Sequence, residues 1–253
     1  MSAEIGFQEE RLVNSLQKLN EMFRNGGVSF DVDGVEADSA PCAVTELNLR
    51  LGTDYRVNNL TKYWGVVDLL RKNHPQIKDP RGYAIDLWNC DEVVGNPDPV
   101  AGAWLLANYF NHEGIIPYRI TSRLSRTRKA TLNWYKARMP WVDEKLIWMQ
   151  EGDEEPGKNF KVDTIKKLCP RFHFDDSFEH AKEIVEKTDT TVILVPQPWN
   201  INYIVNKPPE DKRILTPVSD WRQPAKLADV YIRLAAMLGD VAQSCTSTPL
   251  SIY

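Results

Sequence analysis

The stretch Val28-Ser29-Phe30-Asp31-Val32-Asp33-Gly34-Val35 decides how this chain is read. Val28-Ser29-Phe30 is a short strand candidate that runs straight into two aspartates two residues apart. That spacing lets the side chains of Asp31 and Asp33 lean to the same side. In an open α/β sheet the position is the crevice at the carboxyl ends of the strands, where ligands bind. Two carboxylates there repel unless a cation or proton intervenes, which points to a hard divalent metal with oxygen ligands. A turn capped by two aspartates accounts for the pair equally well. An EF-hand loop does not: with Gly34 as its sixth position, its first and twelfth would be Ser29 and Ala40.

Before this stretch, residues 8–24 carry Leu12, Leu16, Leu19 and Phe23 at helical spacing, and Asn25-Gly26-Gly27 stops the helix. Its apolar face could pack on its own core or on a second subunit. After it, residues 36–99 hold few strand signals. Val44, Leu47 and Leu51 share a helical face ending at Gly52, a second face runs from Leu60 through Trp64 and Val67 to Leu70, and Asn96-Pro97-Asp98-Pro99 closes the insert as a hinge. Beyond the hinge the periods alternate as in a parallel α/β sheet. Helices are expected at 99–113, 124–138, 161–169 and 177–187, and strands at Ile115–Thr121, Lys145–Met149, Phe172–Phe174 and Thr191–Val195. A last helix starts at Pro224 with Leu227, Tyr231, Leu234 and Leu238 on one face, and the acidic run 151–155 reads as a solvated loop.

Composition narrows the function classes. The 253 residues are 42% hydrophobic and 26% charged, an ordinary globular composition with ample material for a core. Lys and Arg total 31 against 35 for Asp and Glu, a formal charge of -4. That balance argues against non-specific nucleic-acid binding, which needs many phosphate contacts, and leaves room for a small phosphorylated substrate. No apolar run reaches the ~20 residues of a membrane span, and the start MSAEIGFQEE lacks a signal-peptide pattern. Cys42, Cys90, Cys169 and Cys245 are far apart, as expected of free thiols in a reducing cytoplasm, where the Asn59-Leu60-Thr61 triplet would go unglycosylated. There is no phosphate-binding G-x-x-x-x-G-K-[ST] loop, no H-E-x-x-H and no G-x-S-x-G. His74, His112, His173 and His180 show no metal-ligand spacing, and His173 reads as structural.

The other strand ends add three signals. Thr121-Ser122-Arg123 ends one strand where a helix begins, so hydroxyls, backbone N–H groups and the Arg123 cation could bind an anion, or simply cap the helix. Asp175-Asp176 ends another strand, as an acidic pair or as a helix N-cap with a first-turn acid. Lys161 opens the preceding helix, where the dipole disfavours a cation; Lys158, Lys166 and Lys167 compete for any role.

In this order the four signals resemble the motifs of the haloacid dehalogenase (HAD) superfamily of aspartyl-phosphate phosphatases. The first is D-x-D-G-[T/V] after a hydrophobic strand, here Asp31 to Val35; the second is a strand ending in Thr or Ser, here Tyr118 to Arg123. The third is a lysine, for which Lys161 has the usual offset of fourteen residues from the fourth motif, Asp175-Asp176-Ser177. The resemblance spans roughly residues 28–200, including Pro198-Trp199-Asn200. It implies a Rossmann-like parallel sheet with helices on both faces and a small, mostly helical C1-type cap inserted after the first core strand. The division is then an N-terminal helical extension (1–27), a core (28–35 with 100–253) and a cap (36–99).

The insert is similar to that of the 5'(3')-deoxyribonucleotidase branch, with Asp-Gly-Val and a Pro-rich hinge before Gly102-Ala103. Glu36 departs from the apolar residue usual there; it could repel a second phosphate, receive a substrate amine or face water. The resemblance implies a Mg²⁺-dependent phosphomonoesterase, with Asp31 as nucleophile and Asp33 as general acid and base. Asp31, the Asp33 carbonyl and one of Asp175 or Asp176 would hold Mg²⁺, while Thr121, Ser122, Arg123 and Lys161 would bind the phosphoryl group. A (deoxy)nucleoside monophosphate is the expected substrate, with Tyr63, Trp64 and Trp88 as stacking candidates. A phosphatase of nucleic-acid ends and a catalytically silent binding protein of the same fold remain alternatives.

Overall fold

Val28–Phe30 (β1) is buried on both faces, as a central strand of a parallel sheet must be. In the computed structural model it lies between Tyr118–Thr121 (β2) and Phe172–Asp175 (β4). Ile147–Met149 (β3), Thr191–Leu194 (β5) and Ile214–Leu215 (β6) complete a six-stranded sheet of order β3-β2-β1-β4-β5-β6, parallel throughout. The structure describes residues 2–150, 159–201, 204, 209–216 and 227–246. The acidic run 151–155, Lys158 and the expected helix start at Pro224 lie outside them, as does the side chain of Leu238.

Strand alternation builds a core on each face. Ile193 and Val195 join Phe30, Phe172 and Phe174 in one cluster. That cluster is covered by Ser2–Gly26 (α1), Ala103–His112 (α6), Arg128–Arg138 (α7) and Leu227–Thr246 (α10). Val192 and Leu194 join Ile120 on the other face, under Phe160–Leu168 (α8) and Phe178–Lys187 (α9). This is the expected α/β, Rossmann-like arrangement. Leu19 and Phe23 of α1 are buried in the chain's own core. No helix among the described residues is long and apolar enough to cross a membrane.

Between β1 and α6 lie Ser39–Leu51 (α2), Gly65–Asn73 (α3), Pro80–Trp88 (α4) and Asp91–Gly95 (α5). Val44, Leu47, Leu60, Val67, Leu70 and Leu87 form a third cluster there, which Trp199 also joins. Helix α2 ends at Gly52 as its pattern requires. The second face is shorter than expected: α3 starts only at Gly65, where the chain doubles back so closely that a Cβ would stand 2.9 Å from the Leu60 Cα. The helix expected from 124 also starts late, at Arg128 after a 3-10 turn over Ser125–Thr127. Leu124 is extended and its N–H is bound by Asn89 Oδ1 at 2.8 Å, so no α-helix N-terminus abuts Arg123. Strand β6 was not foreseen; two residues are too few to show a period.

Glu36 sits where the chain leaves the core and returns to it: its N–H reaches Val32 O, and its carbonyl accepts from Val100 N. It meets neither water nor an open pocket. Its carboxylate, 2% exposed, takes Arg119 Nη2 at 3.0 Å, Arg119 Nε at 3.2 Å and the Tyr135 hydroxyl at 2.6 Å. Removing one partner of such a buried pair leaves an uncompensated charge, at about 3–5 kcal/mol. Glu36→Ala is therefore expected to lower the melting temperature by roughly 10 °C, at about 2–4 °C per kcal/mol. A thermal melt that does not move would contradict this anchoring role.

Candidate active site

Parallel register assembles the site. Phe30 pairs with Phe174, and the next N–H, that of Asp31, donates to the Phe174 carbonyl at 2.8 Å. Asp31 therefore leaves the sheet edge beside Asp175, the last residue of β4. Thr121 closes β2 at the same edge. Lys161, second residue of α8, is buried between the two acids, its Nζ 2.7 Å from Asp31 Oδ2 and 2.8 Å from Asp175 Oδ2. Of its rivals, Lys167 lies over the Trp148 ring instead.

The carboxylates are not equivalent. Asp31 also accepts the Val32 N–H at 2.8 Å; burial, with the nearby Asp175 charge, raises its pKa against the pull of Lys161. Burial acts on Asp175 in the same direction, yet Lys161, the bond from His173 and the nearby His180 outweigh it and hold this group well below its ordinary range. Its oxygens are filled by Lys161, by His173 Nε2 at 3.1 Å and by the Ser177 N–H at 2.8 Å. Asp176 makes no ion pair among the described residues, and Lys161 helps it too little. Burial, then the charges of Asp175 and Asp31, push it well above the usual carboxylate range. Burial opposes the charge on Lys161, but Asp175 and Asp31 more than compensate and its pKa is raised.

Oxygens of Asp31, Asp175 and Asp176 lie within 4.8 Å of one another, a set of hard donors that fits a hard divalent cation. Gly34 is needed beside them: with φ +75°, any Cβ would stand 2.3 Å from Asp176 Oδ2.

Asp33 lies on the pocket side with a third of its side chain exposed. Arg123 grips it with two bonds, Nε to Oδ2 at 2.8 Å and Nη2 to Oδ1 at 2.6 Å, and Ser39 donates to the same carboxylate. Burial works against the Asp33 charge, but Arg123 and Ser39 prevail and lower its pKa. Arg123 also donates to Thr131 Oγ1 at 3.1 Å, so it braces Asp33 rather than extending a helix-terminus anion site. The Thr121 hydroxyl is buried and accepts the Arg123 N–H at 3.2 Å; Ser122 lines the pocket.

That pocket, about 130 Å³, has Asp31, Asp33, Asp176, Ser122 and Arg123 at one end. Its lining also includes Leu60, Val66, Ile85, Lys62, Ser39, Trp199 and the three aromatic candidates, Tyr63, Trp64 and Trp88. Asn89 is there too, but both ends of its amide are engaged, by Leu124 N–H and Ile85 O.

Sequence reasoning missed several members of the site. His173 is fully buried and bridges Asp175 to Ser29, its Nδ1 2.8 Å from Ser29 Oγ. The two-residue period of β4, which puts His173 and Asp175 on one face, was the available signal. His180 Nδ1 stands 3.2 Å from Lys161 Nζ, and Trp199 Nε1 donates to Asp176 Oδ2 at 3.0 Å. Nothing in the local sequence marks either contact.

No protein-family model matches this sequence, and no curated protein matches it. Among solved structures, a HAD hydrolase of family IA from Entamoeba histolytica is similar at TM-score 0.47 and 15% identity, over 81% of this chain and 98% of that one. A putative beta-phosphoglucomutase from Bacteroides vulgatus gives 0.48 and 15%, over 88% and 97%. A HAD family hydrolase from Deinococcus radiodurans, with bound phosphate and sodium, gives 0.50 and 16%, over 88% of this chain and 97% of that one. The fold of this chain is thus similar to that of the Deinococcus HAD family hydrolase.

Proposed function

We propose that this protein is a Mg²⁺-dependent phosphomonoester hydrolase that works through an aspartyl-phosphate on Asp31, with a (deoxy)nucleoside monophosphate as its substrate class. The observation that carries the reading is the meeting of Asp31, Lys161, Asp175 and Asp176 at the end of a pocket that also presents Asp33. The Deinococcus hydrolase of similar fold binds phosphate, which agrees with it. In this reading residues 36–99 are the cap over a core of 28–35 and 100–253, and 1–27 are an extension.

Asp31, the Asp33 carbonyl and Asp176 would hold the metal, since the oxygens of Asp175 are already engaged by Lys161, His173 and Ser177. When bound, Mg²⁺ lowers the repulsion between an anionic carboxylate and an anionic phosphate. Asp31 attacks phosphorus as the bond to the leaving oxygen breaks, and Asp33 gives that oxygen its proton. Asp33 then takes a proton from the water whose oxygen displaces Asp31 from phosphorus. Lys161, Thr121 and Ser122 serve the phosphoryl oxygens. For Arg123 to join them, one of its two bonds must pass from Asp33 to the phosphoryl group, which also eases protonation of Asp33.

The wall of Tyr63, Trp64 and Trp88 suits a flat ring better than a polyhydroxylated sugar. The test is phosphate release from nucleoside monophosphates, sugar phosphates and p-nitrophenyl phosphate, with Mg²⁺ and with EDTA. Release that needs Mg²⁺ and favours nucleotides is expected. A preference for sugar phosphates would overturn the substrate class, and no release from any ester would overturn the enzymatic reading.

A further inference from the structure

We infer that Trp199 is a positioning residue for the metal site, holding the Asp176 carboxylate in its binding orientation through the indole N–H. The inference rests on the reading above for the identity of the metal ligands. Asp176 is the acid of the cluster that makes no ion pair among the described residues, yet it is 4% exposed and its orientation is fixed from several sides. Trp199 Nε1 donates to Oδ2 at 3.0 Å. The next residue, Asn200, donates from Nδ2 to the Asp176 carbonyl and to the Val195 carbonyl, each at 2.7 Å. Gln197 Nε2 donates to the carbonyl of Gly34 at 2.7 Å, and Gly34 leaves no room for the carboxylate to swing past it. One short loop after β5 thus grips the acid and the Asp33-Gly34 turn together.

The choice of donor has a chemical consequence. An indole N–H donates and does nothing else, so it orients a carboxylate without cancelling its charge. Asp175, by contrast, is neutralised by Lys161. With its Oδ2 held by a neutral donor, Asp176 would offer a bound cation a carboxylate that no ion pair among the described residues already engages. The ring that carries this N–H is itself 9% exposed and buried in the apolar cluster of Leu47, Leu60, Val66 and Leu87. The seating of the helical segment therefore sets where the N–H points.

The test is calorimetric titration of Mg²⁺ or Mn²⁺ into the full chain, independent of turnover. Loss of a donor behind a metal ligand weakens affinity by about 10–100-fold. Trp199→Phe, which keeps a ring in the cluster, is expected to bind the metal that much more weakly at unchanged far-UV circular dichroism. Trp104→Phe, on the outer face of α6 and 44% exposed, is the matched control and should bind as wild type does. If Trp199→Phe does not fold, benzothienylalanine at 199 removes the N–H and keeps the bicyclic shape. Equal affinity in wild type and a folded variant at 199 overturns the role of Trp199. Wild type that binds the metal but hydrolyses no monoester overturns the phosphohydrolase reading instead, and the affinity ratio still decides Trp199.

Discussion

Asp31→Asn should lose turnover by at least about 10⁴-fold, the scale seen when a covalent nucleophile is removed, while the protein stays folded. On the proposed mechanism the amide cannot form the acyl phosphate, and water attacking directly would have to do so without it. The fold survives because Asp31 is a burdened group, its ionisation opposed by burial and by Asp175. Some stability is nevertheless lost. Both carboxylate oxygens accept, one from Val32 N–H and one from Lys161, so either orientation of the new amide turns an NH₂ towards a donor. A mismatch of that kind costs about 1–3 kcal/mol, which a melting curve reads as several degrees. Residual phosphate release within tenfold of wild type would assign the nucleophile elsewhere.

Lys161→Met acts on stability first. Lys161 bonds Asp31 and Asp175 at once in a buried site with Asp176 close by, so its removal strands several carboxylates. Breaking a buried pair from one side costs about 3–5 kcal/mol. In EDTA the variant should melt roughly 10 °C below wild type, at about 2–4 °C per kcal/mol. Excess Mg²⁺ should restore more of this in the variant than it adds to wild type, because the ion then supplies the missing positive charge. Turnover should also fall, by about 10²–10³-fold, the usual effect of removing one group that stabilises transition-state charge. Equal melting temperatures for the two proteins in EDTA would show that Lys161 does not hold the acids together.

Those two residues were legible in the sequence because each is tied to a local pattern. Asp31 follows a strand, and the sheet edge is where a parallel fold collects its chemistry; Lys161 opens a helix among competing lysines, and its offset of fourteen residues from Asp175, as the resemblance implies, singled it out. The helical character of 36–99 was legible too, from the apolar face that ends at Gly52. What stayed hidden was partner choice across long stretches of chain. Arg123 could be read as a cation near a strand end, yet that it grips Asp33, ninety residues away, depends on how the helices between them pack. Glu36 and Arg119 find each other over eighty-three residues, and neither carries a mark that it is buried. His173 is the instructive case: the period of β4 places it with Asp175, but only packing decides that this face of the strand points into the charge cluster.

The sheet order also sets a timetable for the newborn chain. Strand β1 finds its neighbours only in β2 and β4, and β4 leaves the ribosome roughly 140 residues after β1. At about 5–20 residues per second that is roughly 7–30 s in which the central strand has at least one edge open. Loop closure on this scale also slows folding itself. At three residues, β1 offers little edge for another chain to pair with in the meantime. A ribosome-bound chain halted before Phe172 would carry Asp31 and Lys161 without the strand that brings Asp175 to them, and so would hold both residues long before the cluster could assemble.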